Sequence, residues 1–310
     1  MIKKKQIPFL FIAILLQVLF FVYPLSGNSG FLFNFFLFCP LPLYFLAILF
    51  GYRYVIFASI PAILIIYTYG FNIAVAYLLL FALPCVYLSY YIGLSKISGA
   101  DEKEVIWYPL SLIFSKIVML SLVLSVIGIL FLGTNITDYN NTISAIYSDV
   151  YQIRPDLEQT IQVNNIALMS ASLPSILVAF WILIYLVNLW IATKITRKID
   201  DNVRSWDGFD EISLAKNYIY LLIFFLALAF LATGIIKVMA ITGTTAMLIG
   251  YSINGLSVLH NVTKNFNLRP LVLTTLYILV LLFVPFIIPV TILGIMDYKN
   301  NLRNKIKSRR

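Results

Sequence analysis

The sequence predicts an all-α fold, a polytopic bundle of transmembrane helices, and three observations carry that prediction. Of 310 residues, 61% are hydrophobic and only 11% charged, whereas soluble domains carry about 25% charged residues and roughly 45–50% apolar ones. The apolar residues fall in long runs, and a run of about 20 crosses the hydrocarbon core as a helix. The polar stretches between the runs are too short to build a separate soluble domain.

Taken in order, the first run is Ile7–Leu25, behind Lys3, Lys4 and Lys5. It is longer than the roughly 7–15 residues of a signal-peptide core and lacks an Ala-x-Ala site, so it reads as an uncleaved first helix. A turn over residues 26–30 leads to Phe31–Phe50, which Pro40 and Pro42 kink or start late. The third run is Val55–Tyr69, and the fourth is Phe71–Ile92 with a kink at Pro84. A polar loop, 95–104, precedes the fifth, Trp107–Leu132. Lys116 lies inside that run, and either snorkels to the near interface or marks a span that begins at Ile117. Snorkelling is the favoured reading.

Residues 133–165 form the longest extramembrane stretch. Ile143, Ile146, Tyr147 and Val150 fall at helical spacing and predict a short amphipathic helix. Pro155 starts a second one through Leu157 and Ile161. The stretch is a lid on the membrane surface or a gate over a site. The sixth run is Ile166–Ala192, so residues 1–192 form a six-helix membrane half. A mixed-charge cytoplasmic loop, 193–216, follows, and then C-terminal membrane helices over 217–297: Asn217–Ile236, Val238–Val262 and Pro270–Ile295. Residues 298–310 are a basic cytoplasmic tail.

Topology follows from Lys and Arg. Nine crossings with a cytoplasmic N-terminus place the basic tail outside, with 13 basic residues inside and 8 outside. Eight crossings, with Val238–Val262 re-entrant or interfacial, place 17 inside and 4 outside. The eight-crossing form is preferred. The net charge of +9 then reflects cytoplasmic loops meeting anionic lipid, not nucleic acid.

Catalytic patterns are missing, and the sequence predicts no enzyme. A single histidine excludes the two-histidine zinc motif and His-rich metal sites. Gly250 and Gly255 have phosphate-loop spacing, but Leu256 stands where the lysine must be. Two cysteines, Cys39 and Cys85, sit in apolar runs as small hydrophobes. No cofactor is expected. The partners expected are membrane lipid and other membrane proteins, with no small-molecule ligand defined.

The most unusual run is Val238–Val262. Gly243, Gly250 and Ser257 recur every seven residues, which suits close helix packing. The alternative is a glycine break that exposes backbone to a cavity, which is tolerated only there or in a protein interior. Asn254, His260 and Arg269 are the candidate lining of a polar pathway, and Gly250, Gly255 and Asp297 are candidate structural residues. An imidazole with a pKa near 6.5 could gate on pH or carry a proton, or His260 is an interfacial structural residue. Asp297 suits a helix-end pairing with Arg303 or another base of the tail. Asn34, Asn72 and Asn188 fit helix–helix hydrogen bonds.

Gly255-Leu256-Ser257-Val258-Leu259-His260, with Arg269, Tyr277, Gly294 and Asp297, resembles the YybS-like membrane proteins, an uncharacterised bacterial family. Pro40, Pro42 and Gly51-Tyr52-Arg53 resemble its N-terminal half, although Lys299 stands where that family often has an aromatic. The family is similar in its first six helices to substrate-binding S components of energy-coupling factor transporters, and more distantly to MreD-like shape proteins. The resemblance implies a six-helix half around a small-molecule site, in a bacterial inner-membrane protein that transports or, alternatively, scaffolds.

Overall fold

Proline and glycine decide where the apolar runs break into helices. The computed structural model describes residues 6–26, 31–98, 104–153, 166–200, 203, 208 and 212–300. The chain opens with α1 (Ile7–Val22), which tightens into a 3-10 turn at Tyr23–Ser26. The second run is split, as its prolines predict: a 3-10 stretch at Phe31–Phe38, then α2 (Pro40–Phe50). Pro40 takes the first helical position, where no N–H is needed. Gly51 at φ 89 and Gly70 at φ 146 adopt backbone conformations closed to side chains, and they bracket α3 (Tyr52–Tyr67).

The fourth run changes to a π turn just before Pro84. It comprises α4 (Phe71–Tyr77), a π turn at Leu78–Ala82 and α5 (Leu83–Ile92). The polar loop that follows is not irregular, as read from sequence, but an antiparallel hairpin. Strand β1 (Ser95–Ser98) pairs with β2 (Glu104–Trp107) in the register Ser95↔Trp107 to Ser98↔Glu104. Val105, Ile106 and Trp107 favour strand geometry. The Tyr108 N–H closes its base on the Leu94 carbonyl at 2.9 Å.

Next come α6 (Leu110–Leu132), α7 (Ile136–Ile153), α8 (Ile166–Arg197) and α9 (Tyr218–Leu231). The amphipathic helix is α7, capped by Asn135, whose Oδ1 accepts the Asp138 N–H at 2.9 Å. Its packed face is not quite the predicted one. Tyr139 and Ile143 are buried against Ile129 and Val238, Tyr147 packs beside them, and Ile146 is exposed. The second helix predicted after Pro155 lies outside the described residues.

The C-terminal region departs from the expected breaks. The run Val238–Val262, expected either to pack closely or to break at glycine, lies in one continuous helix, α10 (Gly234–Val262). Its 29 residues reach about 44 Å at 1.5 Å per residue, beyond the roughly 30 Å of a bilayer core. Its glycines do not break it because each is covered by a neighbouring chain segment. The break falls in the last run instead. There α11 (Arg269–Leu282) and α12 (Ile287–Asn300) are separated by Phe283 in extended geometry and a 3-10 turn around Pro285. Each half has 14 residues, about 21 Å of helix.

Among the described residues, five helical stretches are long and apolar enough to cross a membrane: Ile7–Leu25, Phe71–Ile92, Leu110–Leu132, Ser172–Arg197 and Gly234–Asn265. Shorter apolar helices accompany them. The chain forms two compact units. Unit 1 comprises Met1–Ile117 and Leu183–Asp207, and unit 2 comprises Val118–Ile182 and Gly208–Arg310.

Candidate functional site

In unit 2, Asn254 and Gly255 lie on the line where α10 and α12 touch, with Gly294 facing them. A Cβ on Gly255 would fall on the Val290 carbonyl, and one on Gly294 would fall on the Tyr251 carbonyl. The two glycines therefore let the backbones meet in an antiparallel crossing. The Asn254 Nδ2 donates to the Gly294 carbonyl at 2.8 Å, and the Ser252 and Thr291 hydroxyls share a hydrogen bond at 2.6 Å. Asn254 is only 3% exposed. Gly250 faces Leu214 and Gly243 lies under the Phe225 ring, so those two glycines pack against α9 and the segment leading into it. Asp297 is buried on the same α12 stripe as Val290 and Gly294. Of its predicted partners, Arg303 lies outside the described residues.

The three residues expected to line a polar pathway have different neighbours. Asn254 lies inside the helix crossing. His260, half-exposed, shares a 2.8 Å hydrogen bond between its Nε2 and the Tyr277 hydroxyl of α11. Arg269 begins α11 and is half-buried.

Unit 1 holds the denser polar centre. Tyr185 and Asn188 stand one turn apart on α8. The Tyr185 hydroxyl donates to the Leu80 carbonyl at 2.6 Å, inside the π turn. The Asn188 Nδ2 donates to the Leu37 carbonyl at 2.7 Å and to Ile184 at 2.8 Å. On α1, the fully buried Gln17 gives its Nε2 to the Ala13 carbonyl at 3.0 Å, and its Oε1 accepts the Tyr77 hydroxyl. Tyr44 is fully buried, and its hydroxyl makes no hydrogen bond that meets ordinary geometry. The Cys85 thiol, a weak partner, lies beside it. The Asn188 Oδ1 is likewise buried without a hydrogen-bond partner among the described residues. Cys39, Tyr77 and Tyr185 are in electrostatic reach of the same thiol. Phe21, Phe36 and Phe81 close the aromatic wall, with centroids 5.0–5.8 Å apart.

Residues 10–298 match the family described as "Predicted membrane protein (DUF2232)". The chain belongs to that family. It is a DUF2232 membrane protein, as the apolar runs predict. No curated protein and no solved structure matches the chain.

The polar centre of this DUF2232 chain escaped the sequence reading except for Asn188, whose expected helix–helix hydrogen bond is present. A signal was available. Tyrosine in a membrane helix usually marks the interface, yet Tyr44, Tyr77 and Tyr185 sit within their apolar runs, where each hydroxyl demands a partner. Gln17 is a lone amide in α1. Both cysteines are buried, as expected of small hydrophobes. Asn72, a predicted helix–helix donor, is exposed at the start of α4.

Proposed function

We propose that this is a transport-related protein of the bacterial inner membrane that takes a small uncharged molecule into the polar centre of unit 1. The supporting observations are two poorly served buried groups: the Tyr44 hydroxyl, a donor beside only the weak Cys85 thiol, and the Asn188 Oδ1, an acceptor with no partner among the described residues. A buried polar group without a good partner costs about 1–3 kcal/mol, and a small molecule that accepts from Tyr44 or donates to Asn188 would relieve that cost. No charged side chain is among the residues of this centre, which argues for a neutral ligand. The π turn at its wall adds support, since such turns recur at functional sites. The resemblance of YybS-like proteins to transporter S components points the same way. The reading assigns no catalysis.

For topology we favour eight crossings with both termini cytoplasmic, the broken pair α11–α12 replacing α10 as the segment that does not cross. Nineteen of the 22 basic residues then lie inside, Arg154 and Lys237 outside, and Lys116 at the membrane. Packing inside unit 2 supports this. Leu214, just before α9, touches Gly250, and Gly294 of α12 touches the next residue, Tyr251. The 193–216 loop and the tail thus leave at one level.

Tyr44→Phe tests the ligand. The full chain is purified in detergent and its small-molecule content read by mass spectrometry. The expected result is a neutral compound carried by the wild type and lost from the variant. If Tyr44→Phe merely melts higher, with the same content as wild type, the hydroxyl was an unpaid structural cost and the reading fails. A second reading, a scaffold without transport, is favoured by the α10–α12 crossing, where Asn254 is spent on the Gly294 carbonyl of the facing helix.

A further inference from the structure

A second site lies at one end of unit 1, where α5, the hairpin base and α6 meet. Lys116 is the seventh residue of α6, about 9 Å along the axis from its start. A helical Cβ leans toward the N-terminus, so the side chain runs back to the membrane interface. There its ammonium sits 5.1 Å from the centroid of the Tyr91 ring. Tyr91 packs on Tyr87, Tyr90 and Tyr108 at 5.1–5.5 Å. Tyr90 meets Tyr52, at the start of α3, at 5.8 Å.

Five linked tyrosines are an interfacial belt concentrated on one spot, the depth at which phospholipid phosphates lie. The cations gather at that level. Arg53 follows Tyr52 and is exposed, and Lys96 is exposed on β1 next to the hairpin base. Among the described residues of the hairpin the one acidic residue is Glu104, at the opposite end, where it pairs with Ser98. Below the belt, α5 and the start of α6 present apolar surface, with Leu83 and Leu112 exposed.

From this arrangement we infer that unit 1 holds one anionic phospholipid at a fixed position. Its phosphate rests between Lys116 and Arg53 at the tyrosine rim, and its acyl chains lie along α5 and the first turns of α6, within unit 1. Cation–π contact holds the Lys116 ammonium at the rim without neutralising it, so its charge stays available to a phosphate. Anionic lipids are concentrated in the cytoplasmic leaflet, and the favoured topology puts this end there. The site does not depend on the ligand proposed for the polar centre.

The test uses the full chain in micelles containing equal phosphatidylglycerol and phosphatidylcholine, followed by native mass spectrometry. The wild type retains phosphatidylglycerol over phosphatidylcholine. Lys116→Met lowers that retention about fivefold, the worth of one basic contact at a membrane surface, and Lys116→Arg restores it. Lys264→Met, in unit 2, changes nothing. Melting temperature confirms that Lys116→Met is folded. Equal retention of the two lipids, or wild-type retention by folded Lys116→Met, overturns the proposal. So does displacement of the lipid by free glycerol phosphate, which would mean a simple anion site.

Discussion

The Tyr185 hydroxyl hydrogen-bonds, at 2.6 Å, the Leu80 carbonyl, whose ordinary helical donor four residues on would be Pro84, a residue with no N–H. One turn further along α8, Asn188 does the same for the Leu37 carbonyl. In that 3-10 stretch the donor three residues on would be Pro40. Two proline interruptions in unit 1 are thus served by two polar side chains on one face of a single helix. Lipid offers the backbone no alternative partner.

Removing that hydroxyl should therefore destabilise unit 1, and restoring an amide should cancel part of the loss. Tyr185→Phe is expected to lower stability by about 0.5–2 kcal/mol, the range for hydrogen bonds between membrane helices and for abandoned buried acceptors. In a Pro84→Ala background, the regained N–H can serve Leu80, and the same substitution should lose less than half as much. Reversible unfolding of the four proteins in mixed micelles measures the coupling. Equal losses in both backgrounds would show that Pro84 is not the reason for the Tyr185 bond.

Positions of breaks were more legible in the sequence than their consequences. Pro40 and Pro84 announce interruptions, and the structure has them, but one sequence does not reveal that α8 supplies the replacement donors. The same limit explains α10. Gly243, Gly250 and Gly255 read equally as a broken helix or as a packed one, because the choice rests on Phe225, Leu214 and Val290, far away in the chain. The last run reads as one span because apolar residues continue on both sides of Pro285, where the structure breaks it. The hairpin at Ser95–Trp107 was hidden because its strands have only four residues each, too few for a clear alternating pattern.

Within unit 2, the α10–α12 crossing depends on two residues having no side chain. Gly255→Ala and Gly294→Ala should each be destabilising by about 1–3 kcal/mol, the usual effect of forced overpacking, because the new methyl meets backbone. Gly243→Ala should cost less, since the Phe225 ring can rotate away. In a chain free of Cys39 and Cys85, Ser252→Cys combined with Thr291→Cys should cross-link on mild oxidation, since the wild-type hydroxyls lie 2.6 Å apart. Gly255→Ala should suppress that cross-link. Undiminished cross-linking would mean that α12 tolerates displacement and the glycines are not required.

The favoured topology makes the tail a cytoplasmic segment. In the same cysteine-free chain, Ser308→Cys should react with a membrane-impermeant maleimide only after the membrane is opened from the cytoplasmic side. Ser148→Cys, exposed on α7, should react in intact spheroplasts. Labelling of both in intact spheroplasts would return the count to nine crossings.

The docking of α7 should carry its own pH dependence, through Tyr139. This residue lies outside the membrane-crossing runs, fully buried, with its hydroxyl donating to the Ser170 carbonyl at 2.7 Å. Burial, with a smaller contribution from nearby Tyr147, pushes its pKa from 10.0 up to about 12. Because the docked state holds the proton more tightly, its full contribution is present below pH 10 and is lost as pH rises toward 12. Proteolysis of residues 136–153 should accelerate across that window in the wild type. Tyr139→Phe should cleave faster than wild type at neutral pH, lacking the bond to Ser170, and should show a shallower rise above pH 10. A parallel rise in both proteins would assign the pH dependence to other groups and leave Tyr139 only a packing role.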